Sequence, residues 1–98
     1  MNENEIAKRI LDGAFRVHTK LGPGLLESVY EVVLAHELRK TGLLVERQKP
    51  MPITYDGILF EEGYRADLLV ESKVIVELKS VSAISAVPCE ASADATTA

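Results

Sequence analysis

Three side chains in the second half of the chain have the types and spacing to hold a hard metal ion beside a phosphate. In the segment VIVELK, Val74, Val76 and Leu78 alternate with Ile75, Glu77 and Lys79, which is the period of a β-strand with Glu77 and Lys79 on one face. A carboxylate and an ammonium on an otherwise apolar strand need a partner or a metal if they are buried. Asp67 lies in the preceding apolar run, ADLLV. If Glu71-Ser72-Lys73 is the loop between the runs, Val70 stands opposite Val74 and Asp67 opposite Glu77, and opposed residues share a face. A two-residue loop would put Asp67 opposite Leu78 and split the site, because a slip of one residue flips every side chain. The expected arrangement therefore has an odd-length loop or a bulge.

Two carboxylates brought together suit Mg²⁺, with Mn²⁺ as a substitute, since a hard cation takes oxygen ligands and keeps several waters. Such an ion polarises a phosphoryl oxygen and acidifies a bound water. Lys79 would orient that water or offset charge building up on the phosphate. The same spacing equally suits a solvated cluster of charges on an exposed sheet face.

The elements that must position these residues follow from periodicity. Ile6, Ile10, Ala14, Val17 and Leu21 recur at helical spacing, so 3–21 is expected to be a helix, with Asn2 and Glu5 as its capping box. Gly22-Pro23-Gly24 breaks it. A second helix is expected over 25–40, with Leu26, Val29, Val33 and either Leu34 or Leu38 as its apolar stripe and Gly42 as its stop. Strands are then expected at 43–48, closed by Lys49-Pro50, at 53–55 and 58–61 around an Asp56-Gly57 turn, and as the hairpin 64–70 and 74–80. Residues 82–98 are dominated by Ala, Ser and Thr. They offer little apolar surface to offset ordering entropy, so a disordered tail is expected there.

Asp67, nine intervening residues and then Glu77-Leu78-Lys79 resemble the metal-binding motif of the PD-(D/E)XK nuclease superfamily. Gly24-Leu25-Leu26-Glu27-Ser28-Val29-Tyr30 matches the signature of its small bacterial GxxExxY family, which GPGLLESVYE, EGYRADLLVE and KVIVELKSV also resemble, over most of residues 3–81. The resemblance implies a restriction-endonuclease-like α/β core in an α+β arrangement, two N-terminal helices followed by a mainly antiparallel sheet. It implies Mg²⁺-dependent hydrolysis of phosphodiester bonds in nucleic acid, DNA or RNA. It carries Asp67 and Glu77 over as metal ligands, Lys79 as the catalytic lysine and Glu27 as a further acidic residue approaching the metal or its water. Tyr30 would support Glu27 or pack beneath the site, and Gly24 opens the signature.

The family continues beyond its Glu-x-Lys strand with a helix and another strand, where this chain has its Ala/Ser/Thr-rich segment. The expectation is an incomplete domain over 1–81, lacking that helix and strand. The alternative is a non-catalytic remnant or pseudo-nuclease that only binds a partner, with self-association through an exposed sheet left open.

Ninety-eight residues suit one domain. The formal net charge of −4 argues against a generally basic nucleic-acid binder, although a bound cation inverts the local sign. Cys89 is the single cysteine, which excludes a disulfide framework and a thiolate metal site. Neither a signal peptide nor an apolar run near the ~20 residues of a membrane span is visible, so a cytoplasmic protein is expected. His18 and His36 lack partners at ligand spacing and are read as packing or surface residues.

Overall fold

The computed structural model describes residues 1–80 and 83–89, with Lys79, Ser80 and Ala83 described by their backbone alone. Helix α1 spans Glu3–Leu21 and opens on the expected capping box. Asn2 Oδ1 accepts from the Glu5 amide at 2.8 Å, and Glu5 Oε1 accepts from the Asn2 amide at 3.2 Å. The helix buries Ile6, Ile10, Gly13 and Val17. Gly13 admits the second helix closely, since a Cβ there would lie 3.0 Å from Leu38 Cδ2. The stop is Gly22, at φ 71°, whose amide donates to the His18 carbonyl.

Helix α2 spans Glu27–Lys40 and buries Tyr30, Glu31, Leu34, Ala35 and Leu38. Leu34 and Leu38 of the expected stripe are buried and Val33 packs against the core, but Leu26 is 74% exposed and Val29 is also exposed. Apolar residues occur on several sides of α2, so hydrophobicity alone does not choose the inward one. Polar contacts of Tyr30 and Glu31, described below, make their face buriable. Thr41 and Gly42, the latter at φ 93°, close the helix. Among the described residues no helix is long and apolar enough to cross a membrane.

Four strands follow: β1 (Val45–Tyr55), β2 (Ile58–Val70), β3 (Val74–Ser80) and β4 (Ala83–Pro88). They form an antiparallel sheet in the order β1-β2-β3-β4. The fold is α+β, two helices followed by this antiparallel sheet, as expected. Two strand expectations need correction. Lys49-Pro50 does not close the first strand, because β1 lies at the sheet edge, where proline costs no ladder bond. Its register shifts between Met51 and Ile53, around Pro52. Residues 83–88, expected in the tail, instead form β4, whose Ile84 and Ala86 pack against the core beneath α1. An alternating segment can gain a full ladder from the free edge of β3, which composition alone does not reveal. The rest of the expected tail, Ser82 and residues 90–98, lies outside the described residues.

The helices cover one sheet face. Ile6, Ile10, Leu34, Leu38, Leu68, Val70, Val74 and Val76 form the buried cluster between the layers. Burying each such side chain contributes about 1.5–3 kcal/mol. A smaller cluster on the other face gathers Ala66, Leu69 and Ile75 with Met51, Tyr64, Val87 and Cys89.

Candidate active site

The loop between β2 and β3 has three residues, with Val70 paired to Val74, Leu69 to Ile75 and Leu68 to Val76. Glu71 and Ser72 both take φ 55°, and the Lys73 amide closes the turn on the Val70 carbonyl. The odd loop length required by the Asp67–Glu77 juxtaposition is therefore present.

Asp67 is the next residue along β2, and there the ladder changes character. Its Oδ2 accepts from the Leu78 amide at 2.7 Å, so a side chain takes the place of a main-chain acceptor. Leu78 is the residue between Glu77 and Lys79, which brings the Asp67 carboxylate onto the backbone of the Glu-x-Lys segment. The pleat also breaks here. Leu68 and Val70 belong to the helix-side cluster, whereas Ala66 belongs to the cluster on the other face. Across the β1–β2 ladder, Gln48 sits between the pairs Arg47–Leu68 and Lys49–Ala66 with φ 52°. A left-handed residue on one strand and a broken alternation on the other turn both side chains, Gln48 and Asp67, toward each other.

Glu77 is half-buried and pairs with Ser85 of β4. It alternates with Val76 and Leu78, which face the helices. Lys79 follows two positions later in β3. Glu27 is exposed in the first turn of α2 and lines a cleft with Val17, His18, Tyr30, Leu78 and Ile84, between the helices and β3–β4. Tyr30 is buried, its hydroxyl donates to the Gly22 carbonyl, and its ring stacks on His18 with centroids 6.5 Å apart. Its observed contacts thus tie α2 to the loop after α1. Gly24, at φ 98° in that loop, takes a conformation other residues adopt only with strain.

Glu31 is a further buried polar residue beside Asp67, not marked by any motif in the sequence. This carboxylate is only 5% exposed. Arg47 donates to its Oε2 from Nε at 3.1 Å, with Nη2 ion-paired to the same oxygen at 3.0 Å, and Gln48 Nε2 donates to its Oε1 at 2.6 Å. Gln48 Nε2 also lies 3.4 Å from Asp67 Oδ1. A glutamate within the Tyr30–Leu34–Leu38 stripe was the available signal, but it becomes visible only once that stripe is chosen.

Asp67 and Glu77 supply the oxygen donors a hard cation takes. Among the described residues no group of three or more His, Cys, Asp or Glu side chains is arranged to hold a metal. A Mg²⁺ ion does not require one, because it is commonly held by one or two carboxylates with water and substrate oxygens completing its shell. The donor types therefore suit the ion, while the β2–β3 pairs end at Leu68–Val76, one position before the expected Asp67–Glu77 pair.

An α+β domain with an acidic residue ending the β2–β3 ladder beside a Glu-x-Lys segment defines a class. Residues 4–90 match the PD-(D/E)XK nuclease superfamily, and the chain belongs to it. The match takes in both helices and all four strands. No curated protein and no solved structure matches the chain.

Proposed function

We propose that this protein is a metal-dependent nuclease of the GxxExxY type, hydrolysing phosphodiester bonds of DNA or RNA. The observation that carries the reading is the Asp67 carboxylate bonded to the Leu78 amide, inside the Glu77-Leu78-Lys79 motif. Asp67 and Glu77 would hold Mg²⁺, which when bound supplies a polarised phosphoryl oxygen and an acidified water. The Leu78 amide fixes one Asp67 oxygen and so limits how the carboxylate can turn. Lys79, two positions after Glu77 in β3, would offset charge on the phosphate in the transition state. Glu27, at the mouth of the cleft that Leu78 also lines, is the candidate for handling the water's proton.

The test is calorimetric titration of Mn²⁺ into the chain, together with a nuclease assay on single- and double-stranded DNA and RNA. Asp67→Ala is expected to abolish Mn²⁺ uptake. Lys79→Ala is expected to keep uptake and lose about 10²-fold or more in cleavage rate. Cleavage that survives both substitutions would sink the assignment.

The alternative reading is a pseudo-nuclease that binds nucleic acid without cutting it. Binding that weakens steeply with salt, with no metal-dependent cleavage, would select it.

A further inference from the structure

We propose that Gln48 and Glu31 are positioning residues for Asp67, joined through one side-chain amide. The role rests on the nuclease reading only in what Asp67 then does.

Gln48 Nε2 faces two carboxylates, Glu31 at 2.6 Å and Asp67 at 3.4 Å. A carboxamide nitrogen carries two hydrogens, one for each partner. With carboxylates on both sides, only the nitrogen end of the amide suits this place. Glu31 holds the other end of the arrangement firmly. It is buried, and donors engage both of its oxygens, Arg47 on Oε2 and Gln48 on Oε1. With its oxygens so occupied, Glu31 acts through Gln48 and not as a further ligand.

The backbone points the same way. Gln48 takes φ 52°, a conformation that side chains other than glycine rarely adopt. Gln48 falls opposite Asp67, between the pairs Arg47–Leu68 and Lys49–Ala66, where the ladder skips one pair and keeps its register. Arg47 and Gln48 are neighbours in a strand, where alternation would send them to opposite faces. Here both reach Glu31. The Asp67 carboxylate is thereby held from two sides, by Gln48 at Oδ1 and by the Leu78 amide at Oδ2. A neutral spacer between two carboxylates orients Asp67 without placing a competing cation beside it, as partners of metal ligands commonly do.

The test uses Gln48→Gly, which removes the amide yet suits the left-handed backbone, so the fold should persist. Amide hydrogen exchange on the metal-free chain reports the Asp67–Leu78 bond directly. Leu78 is expected to exchange about tenfold faster in the variant. The Glu71 amide, bonded to the Leu44 carbonyl just past the C-terminal end of β2, should not change. Titration with Mn²⁺ alone is expected to show affinity lowered about tenfold. Glu31→Gln, which keeps an acceptor for Gln48, should retain most of the Leu78 protection. Unchanged Leu78 exchange in Gln48→Gly overturns the positioning role, whatever the metal does. Mn²⁺ affinity that is unchanged from a wild type that binds overturns it as well. A wild-type chain that takes up no Mn²⁺ overturns the metal role of Asp67, and the exchange result then decides positioning by itself.

Discussion

Near the helices the β1–β2 hairpin pairs Val45 with Val70 and Arg47 with Leu68, and Val45, Leu68 and Val70 are buried. At its far end it pairs Ile53 with Phe60 and Tyr55 with Ile58, and Tyr55, Ile58, Leu59 and Phe60 are all exposed. The ladder is shared by both ends. Their support is not. The near end is held by packing against α1 and α2, while the far end has main-chain bonds and the Asp56-Gly57 turn, where both residues take positive φ. Gln48 and Asp67 stand at the boundary, where the pleat changes face. A site placed there has rigid packing on one side and a pliant ribbon on the other.

The largest effect should come from the near end. Leu68→Ala is expected to cost about 2–5 kcal/mol in denaturant unfolding, because the cavity opens in the middle of the helix–sheet core. Gly63→Ala tests the far end's backbone. A Cβ at Gly63 would run into the side chain of Ile53, and the expected loss is about 1–3 kcal/mol. Exchange should speed up mainly between Met51 and Tyr64, and trimming Ile53 to alanine should relieve it. Leu59→Ser should change stability by less than about 0.5 kcal/mol. A loss as large as that of Leu68→Ala would break the comparison, since it would mean the far end packs against something in solution.

The smallest effect belongs to the helix surface. The Arg16 guanidinium, bonded to Glu37 at 3.0 Å, holds that carboxyl below its usual range, with Lys40 assisting. A lowered folded-state value means stability that is present at neutral pH and lost as acidification carries the medium through the carboxylate range. Glu37→Gln should therefore destabilise slightly at pH 7, and by less as the pH falls through the carboxylate range, read from thermal midpoints along a pH series.

Much of this architecture could be read from local chemistry. Asn2 with Glu5, Gly22 to Gly24 and Asp56-Gly57 each act over a few positions, and each does what its residue types favour. What was not legible depends on partners far away in the chain. The inward face of α2 is set by Tyr30 reaching Gly22 and by Glu31 reaching Arg47 and Gln48. β1 runs through two prolines because it is an edge strand, a property of topology and not of the segment. β4 forms from residues of weak intrinsic preference because β3 offers an open side. At the candidate site, Asp67, Glu77 and Lys79 were visible through spacing, whereas the break in alternation that turns Gln48 to Asp67 was not.

The sheet is a meander in which every strand lies beside its neighbour in the chain, yet α1 packs against β3 and β4, and the Lys73 ammonium bonds to the Met1 carbonyl at 2.9 Å. Assembly therefore has two tempos. The hairpins close over short loops and rank among the fast events of folding. Helix α1, made before the sheet, finds α2 early but waits for β3 and β4 before its remaining apolar surface is covered. A nascent chain stalled before β3 would carry α1 with Ile6 and Ile10 uncovered by the sheet, a form suited to chaperone capture.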